Sequence, residues 1–191
     1  MYFYRVALND MCATGTKIPE ILNILDYRQL FSESMLEIIE KFRGKPLSPH
    51  GINYFVDCNT KSLSTMWIEL YFEKTRVNFF KNRLSRFQSL FACVSLEDAI
   101  RFWETYRSHM ASAEEMKIYE IECKSYFRAD MNALGGESFN DLPNQAAAYW
   151  SGNPWRLGKE KWECLLDPRD TKIMGVYRIP DLRMAGLIRR E

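Results

Sequence analysis

With 191 residues, 47% of them hydrophobic and 14% aromatic, the chain can bury one full core without disulfides or a metal. Its 26 basic and 25 acidic residues give a formal net charge of +1, so overall charge favours neither a nucleic acid nor an acidic partner. The two histidines and five scattered cysteines form no metal-ligand pattern, and the odd cysteine count favours a reducing compartment. Because neither a membrane span nor a signal peptide is visible, we expect a cytoplasmic protein without a membrane partner.

The chain opens with MYFYRVAL, which is typical of a buried strand but contains one charged residue. Strand alternation places Phe3, Arg5 and Ala7 on one face. A guanidinium keeps its proton in proteins, so Arg5 needs an anion or a route to water. That anion is either a carboxylate of the protein, with Glu163 as one candidate, or part of a ligand.

The next segment is predicted to be helical and irregular. Residues 21–43 have helical character in two pieces, and the second piece begins with Ser34 and Glu37 in capping-box spacing. Residues 45–61 are rich in Pro, Asn and Asp, which predicts an irregular connection with one short strand at INYFV.

A long helix is predicted over residues 63–82, followed by the most informative stretch of the chain. SLFACV is strand-like, and Ser95 with Asp98 makes a helix-capping pattern directly after it. Leu96, Ala99, Ile100, Trp103 and Tyr106 then fall on one helix face. The pattern therefore predicts a strand, a tight turn and a helix.

The second half is dominated by short strands. KIYEIECK alternates with Tyr119, Ile121 and Cys123 on one face, which predicts a half-buried strand. LPNQAAAYW is predicted to be a short helix, SGNPWRLG a loop, KWECLL a strand, and IMGVYRI a final strand that ends at Pro180. This arrangement favours an α+β fold over a βαβ alternation with a parallel sheet.

Three polar positions in apolar strand-like sequence are the candidates for chemistry. They are Arg5, the pair Ser85–Arg86 that opens SRFQSLFACV, and Glu163 in KWECLL. A single Arg or Glu on a half-buried strand most often belongs to a solvated sheet face or to an ion pair, so each residue alone is a weak signal.

Taken together, these segments resemble the ADP-ribosyltransferase fold. YFYRVAL resembles its first strand, SLFACVSLEDAIRF its second motif, and ECLL the strand that carries its glutamate. SRFQSLFACVSLEDA, FRADMN, AAYWSG and ECLL further resemble a small bacterial family, the DUF2441 type, often described as ADP-ribosyltransferase-like. The resemblance covers residues 1–8 and 63–180, and leaves 9–62 unassigned.

The resemblance implies a single domain over residues 1–191, with split antiparallel β-sheets around an NAD cleft and residues 9–62 as a helical, irregular insertion. It implies a mono-ADP-ribosyltransferase of bacterial or phage origin that modifies a macromolecular acceptor, a protein above all, as a toxin, effector or defence factor. NAD is then the substrate, and no metal is implied. The roles implied are Glu163 as the catalytic residue, Arg5 on the diphosphate, Ser85, Arg86 and Ser89 at the ribose or phosphate, and Phe91 stacked on nicotinamide.

The chain departs from the toxin pattern at two places. Phe91-Ala92-Cys93 stands where toxin-type members have Ser-Thr-Ser, and Lys161 stands where arginine-modifying members have a second acidic residue. The chemistry itself needs one carboxylate, because nicotinamide is a good leaving group and the ribose develops oxocarbenium character. The departure at Lys161 therefore argues against an arginine acceptor and leaves transferase chemistry open.

Several alternatives remain open. Tyr149, Trp150 and Trp155 are candidates for the acceptor side, or they pack in the core. Residues 74–86 carry five basic residues and two phenylalanines, a composition that suits nucleic-acid binding or a solvated helix face. The fold could also serve as an inactive binding module or as an NAD glycohydrolase. A thiol nucleophile is not expected at Cys93 or Cys164, since no histidine lies nearby in sequence.

Overall fold

The structure is a computed structural model that describes residues 1–7, 16–17, 31–55, 63–109, 115–135 and 139–188. These residues form a mixed α+β fold with six α-helices. The helices are α1 Glu33–Glu40, α2 Pro49–Phe55, α3 Leu63–Phe79, α4 Leu96–Tyr106, α5 Leu142–Ser151 and α6 Ile179–Met184. The strands are β1 Tyr2–Ala7, β2 Thr16–Lys17, β3 Pro46–Leu47, β4 Leu90–Ala92, β5 Lys117–Cys123, β6 Tyr126–Asp130, β7 Trp162–Leu166 and β8 Thr171–Arg178. No described helix has the length and apolar character needed to cross a membrane.

Two three-stranded antiparallel sheets form the centre of the fold. The first sheet has the order β1-β5-β8 and the second has the order β4-β7-β6, while β2 and β3 pair separately. The two sheets meet at an isolated antiparallel bridge between Tyr4 and Cys93. Tyr4 N–H donates to the Cys93 carbonyl at 2.9 Å, and Cys93 N–H donates back at 2.7 Å. The start of the chain is therefore held directly beside β4.

An apolar core lies between the two sheets and decides where Arg5 points. Phe3 and Ile121 of the first sheet pack there with Leu90 and Cys164 of the second. In the β1–β5 register Phe3 faces Ile121 and Arg5 faces Tyr119. Because residues two apart on a strand share a face, Arg5 lies on the side of the first sheet that turns toward the second.

The predicted strand, turn and helix are confirmed. β4 covers residues 90–92, and the Ser95 side chain accepts the Asp98 backbone N–H at 3.1 Å where α4 begins. A serine N-cap supplies an acceptor for one of the unpaired N–H groups of the first turn. Trp103, on the inner face of α4, is fully buried. The long helix, the alternating strand and the later helix and strands are also confirmed.

Two local predictions are wrong. The strand predicted at INYFV is not formed, because Ile52–Phe55 lie in α2 together with the preceding Pro49 and His50, while Val56 lies outside the described residues. Ser48 accepts the Gly51 N–H at 3.2 Å, and a proline next to such a cap has its φ preset for the first turn. Likewise, α1 begins at Glu33 with Ser32 as its N-cap, two residues before the predicted cap at Ser34. The part of that prediction over residues 21–30 lies outside the described residues.

Candidate functional site

A cavity of about 320 Å³ opens where the two sheets meet. Its walls come from β1, β4 and β7, with further side chains from α2 and α4. Four of the residues singled out in the sequence line this one cavity, namely Arg5, Arg86, Phe91 and Glu163. Its volume lies within the range of about 300–1,000 Å³ that is usual for small-molecule sites.

Arg5 is fixed by the second sheet. Its Nη1 donates to the Phe91 carbonyl at 3.0 Å, so the guanidinium bridges β1 to β4 at the cavity wall. The side chain is half-buried. The position follows from the inward face of β1 and from the Tyr4–Cys93 bridge next to it.

Glu163 is a buried carboxylate that is held from one side. The residue is 6% exposed, and its Oε1 accepts from Arg86 Nη1 and from the Tyr149 hydroxyl, the latter at 2.6 Å. No hydrogen bond to Oε2 forms within the residues that the structure describes. One oxygen is therefore locked in place, while the other remains available to a molecule in the cavity.

Arg86 lies between two carboxylates. Its Nε and Nη2 donate to the two oxygens of Glu69, at 2.8 and 3.0 Å. Its Nη1 donates to Glu163 Oε1 and to the Tyr149 hydroxyl oxygen. Burial favours the neutral guanidine, but Glu163 and Glu69 outweigh it and raise the pKa of Arg86 well above its ordinary value. Burial likewise opposes the ionisation of Glu69, yet Arg86 and the neighbouring imidazole hold its pKa below the ordinary value. Both partners of this pair are charged at neutral pH.

His50 contacts the ion pair of Glu69 and Arg86 from the Glu69 side. Its Nε2 lies 3.2 Å from Glu69 Oε1, and its ring packs against Phe91 with centroids 4.7 Å apart. We call the five residues His50, Glu69, Arg86, Tyr149 and Glu163 the charged cluster. Burial and the Glu163 carboxylate raise the pKa of Tyr149, so its hydroxyl stays protonated and donates. With a neutral imidazole, the cluster carries two negative charges and one positive charge.

Neither the cavity thiol Cys93 nor the core thiol Cys164 is ionised near neutral pH. Cys93 lines the cavity, and burial raises its pKa to about 12 with help from Asp98 and Glu163. Burial raises the pKa of Cys164 to about 12 as well, and that residue is fully buried. Since the thiolate is the nucleophilic form of cysteine, Glu163 is the better placed group for chemistry here.

Ser85 and Ser89 do not reach this cavity. They line a separate cavity of about 190 Å³ beside Asp167 and Arg169. The Ser89 hydroxyl donates to the Ser85 carbonyl at 2.7 Å, and Ser85 Oγ accepts the Phe87 N–H at 3.3 Å. Both hydroxyls therefore stabilise the turn that leads into β4.

The three aromatic candidates for the acceptor side lie mostly in the core. Tyr149 and Trp150 are fully buried, and the Trp150 indole N–H donates to the Phe72 carbonyl at 2.7 Å. Trp155 is half-buried against the same core. Tyr149 and Trp150 are therefore core residues, although the Tyr149 hydroxyl also contacts Glu163 in the site.

One buried aspartate fixes the loop before β7. Asp130, fully buried at the end of β6, accepts the Trp155 N–H through Oδ2 and the Lys161 N–H through Oδ1, both at 3.0 Å. Asn132 donates to the same carboxylate and to the Lys159 carbonyl. The loop over residues 152–161 is therefore anchored immediately before Glu163.

The basic run over residues 74–86 does not form one solvated face. Arg76 pairs with Glu73 at 2.7 Å, and Arg86 is buried in the charged cluster. Arg83 lies over the Phe127 ring at 4.5 Å and donates to a backbone carbonyl. These contacts divide the positive charge among three different surroundings.

Sequence reasoning missed His50 and Glu69. Glu69 carried a readable signal, because it follows Met66 by three residues and precedes Leu70, on the apolar face of a predicted helix. A carboxylate at such a position needs a buried partner. His50 carried no comparable signal, since its segment was assigned to an irregular connection.

Within the described residues, no group of three or more His, Cys, Asp or Glu is arranged to hold a metal ion. No curated protein matches the chain. The model of the family described as "Protein of unknown function (DUF2441)" matches residues 19–177, which confirms the resemblance to that family and extends it over most of the segment that had been left unassigned. With most of its length matched by that model, the chain belongs to the DUF2441 family.

Proposed function

We propose that the chain is an NAD-dependent mono-ADP-ribosyltransferase with an ADP-ribosyltransferase-like fold, acting on a macromolecular acceptor, with NAD glycohydrolysis as its reaction when water is the acceptor. One observation carries the proposal. Arg5 and Glu163, 158 positions apart, line one cavity between two antiparallel sheets, with the ring of Phe91 in the same wall. The split antiparallel sheets are also the architecture that the family resemblance implies.

Glu163 supplies the group that this reaction needs. Breaking the bond between ribose and nicotinamide builds positive charge on the ribose, which a fixed carboxylate stabilises. Arg86 and Tyr149 hold Oε1, so the carboxylate does not have to reorganise when charge develops. Oε2 is then the oxygen that orients a ribose hydroxyl. The net negative charge of the cluster also favours binding of the positively charged pyridinium ring of NAD.

The cavity walls suit the rest of the ligand. Phe91, together with Trp162 and Phe102, provides apolar and aromatic surface for the nicotinamide ring. Arg5 has the planar fork that matches a diphosphate. Arg86 donates to two glutamates, so its role is to position Glu163 and not to bind phosphate.

The test is nicotinamide release from NAD by the purified protein, with and without cell lysate. Glu163→Gln is expected to lower turnover by about 10²–10³-fold, the usual loss when one preorganised electrostatic group is removed. Arg5→Ala is expected to raise KM. Glu73→Gln and Arg83→Ala are matched controls, because the first removes a buried, arginine-paired glutamate and the second removes a guanidinium that donates to a backbone carbonyl.

A second candidate is a binding module without catalysis. The pairing of Glu163 with Arg86 favours it, since a buried ion network is also a common structural element. If the protein neither binds nor turns over NAD, the transferase proposal fails and this candidate replaces it. Release that needs lysate indicates transfer, and release without lysate indicates hydrolysis.

A further inference from the structure

His50 is in the cavity but has no part in the roles assigned so far. It comes from α2, and its side chain is 22% exposed. Its ring is packed between Tyr54, at 4.9 Å, and Phe91, at 4.7 Å, so its orientation is fixed on two sides. An imidazole held at the wall of the open cavity that Glu163 also lines is placed to exchange a proton with a ligand.

The contact with Glu69 decides which ring nitrogen carries the proton. Glu69 is ionised by its pair with Arg86, and an ionised carboxylate only accepts hydrogen bonds. His50 Nε2 is buried 3.2 Å from this carboxylate without meeting hydrogen-bond geometry, and the negative charge facing it favours the tautomer that carries hydrogen on Nε2. In a neutral imidazole the lone pair is then on Nδ1, and within the described part of the chain no hydrogen bond to Nδ1 is formed.

We propose that His50 is the general base of the transfer reaction, oriented by Glu69, and that the nucleophile it activates is a hydroxyl group, either of water or of an alcohol in the acceptor. This inference rests on the proposed function. In the step, the hydroxyl proton moves to His50 Nδ1 as the oxygen forms a bond to the anomeric carbon of the ribose. The bond from that carbon to the nicotinamide nitrogen breaks, and its electron pair neutralises the pyridinium ring.

The charges of the cluster suit this role. Glu69 and Glu163 together exceed the single charge of Arg86, so the cluster has one negative charge to balance the imidazolium that forms. Glu69 plays the part that a carboxylate plays behind the histidine of other base-assisted acyl and glycosyl transfers, namely holding the tautomer and stabilising the cation. Glu163 and His50 thus divide the work between the leaving side and the entering side of the ribose carbon.

The experiment measures NAD turnover at saturating NAD in water and in added methanol, where ADP-ribose and its methyl glycoside report the two hydroxyl sources. His50→Gln keeps a donor for Glu69 but has no base, and we expect it to lower kcat by about 10²–10⁴-fold with a smaller effect on KM. In His50→Ala, added azide is expected to restore nicotinamide release, because azide attacks without losing a proton. Tyr54→Phe is the matched control for packing against the ring and is expected to retain activity.

Two results would overturn the inference while leaving the proposed function intact. One is wild-type turnover in His50→Gln. The other is a loss in His50→Ala that azide does not restore, which would assign His50 a structural role. A wild-type protein that releases no nicotinamide in water, methanol or lysate overturns the proposed function and this inference together.

Discussion

Replacing Arg86 with methionine should destabilise the protein strongly, because it leaves two buried carboxylates without their shared cation. Arg86 is 4% exposed, and Glu69 and Glu163 are each 6% exposed. Breaking a buried ion pair by removing one partner typically costs about 3–5 kcal/mol. That is a large fraction of the roughly 5–15 kcal/mol by which domains are stable. We therefore expect Arg86→Met to lower the free energy of unfolding at pH 7 by about 3–5 kcal/mol.

The loss should depend on pH with a definite sign. In the wild-type protein burial opposes the charge of Glu69, but Arg86 and His50 hold its pKa below the ordinary value. Glu69 thus adds stability above its unfolded pKa of about 4.3, and that stability is lost as pH falls. In Arg86→Met, no guanidinium opposes the effect of burial, so burial raises the pKa of Glu69. Stability is then lost as pH rises above about 4.3. The gap between the two proteins should widen from pH 4 to pH 7.

The assay is urea unfolding followed by circular dichroism at pH 4 and pH 7. Arg101→Met is the surface control, since Arg101 pairs with Glu97 on α4 while 64% and 75% of the two side chains are exposed. It should change the free energy of unfolding little, because water screens an exposed ion pair. Adding Glu69→Gln to Arg86→Met should recover part of the loss at pH 7. A loss for Arg86→Met no greater than that of the control, or a gap that does not change with pH, would refute the reasoning.

Two substitutions and one measurement of thiol reactivity test the fold and the site more locally. Ser95→Ala removes the acceptor of the Asp98 N–H and should cost about 1 kcal/mol in urea unfolding, whereas no loss would mean that water replaces the cap. Gly51→Ala should cost about 1–3 kcal/mol, because a Cβ there would lie 2.3 Å from the Phe87 carbonyl oxygen; an unchanged melting temperature would contradict that approach. The Cys93 thiol should react slowly with a thiol reagent at pH 8 in the folded protein, because burial raises its pKa to about 12, and rapid modification would show that the cavity wall opens.

The elements that could be predicted from the sequence are those whose local signals agree with their tertiary surroundings. β4 and α4 combine a strand-like apolar run, a serine cap and an apolar helix face, and all three point to the same structure. The alternation of apolar and polar residues predicted β5 for the same reason, since Tyr119, Ile121 and Cys123 all face the core between the sheets.

The failed predictions come from segments where two local signals compete. INYFV has β-branched and aromatic residues typical of a strand, but Ser48 and Pro49 start a helix just before it. The helix wins because it buries Phe55 in the core that Leu47 also joins. At α1, Ser34 and Glu37 have the capping spacing, yet the chain enters the helix earlier, at Glu33.

Individual residues of the site could be predicted from the sequence, but the pairing of their side chains could not. Strand alternation placed Arg5 on one face with Phe3, and an isolated carboxylate in KWECLL indicated Glu163. No periodicity indicates that Arg86, and not Arg5, binds that carboxylate. Two residues, Glu69 and Glu163, are 17 and 77 positions from Arg86, so their pairing is a property of the packed fold. The sequence does contain two carboxylates in apolar surroundings, Glu69 and Glu163. Such groups need a buried cation, and Arg86 supplies it to both. Glu69 on the apolar face of α3 is therefore the sequence feature that calls for a buried cation such as Arg86, whereas the place of His50 is known only from the packed structure.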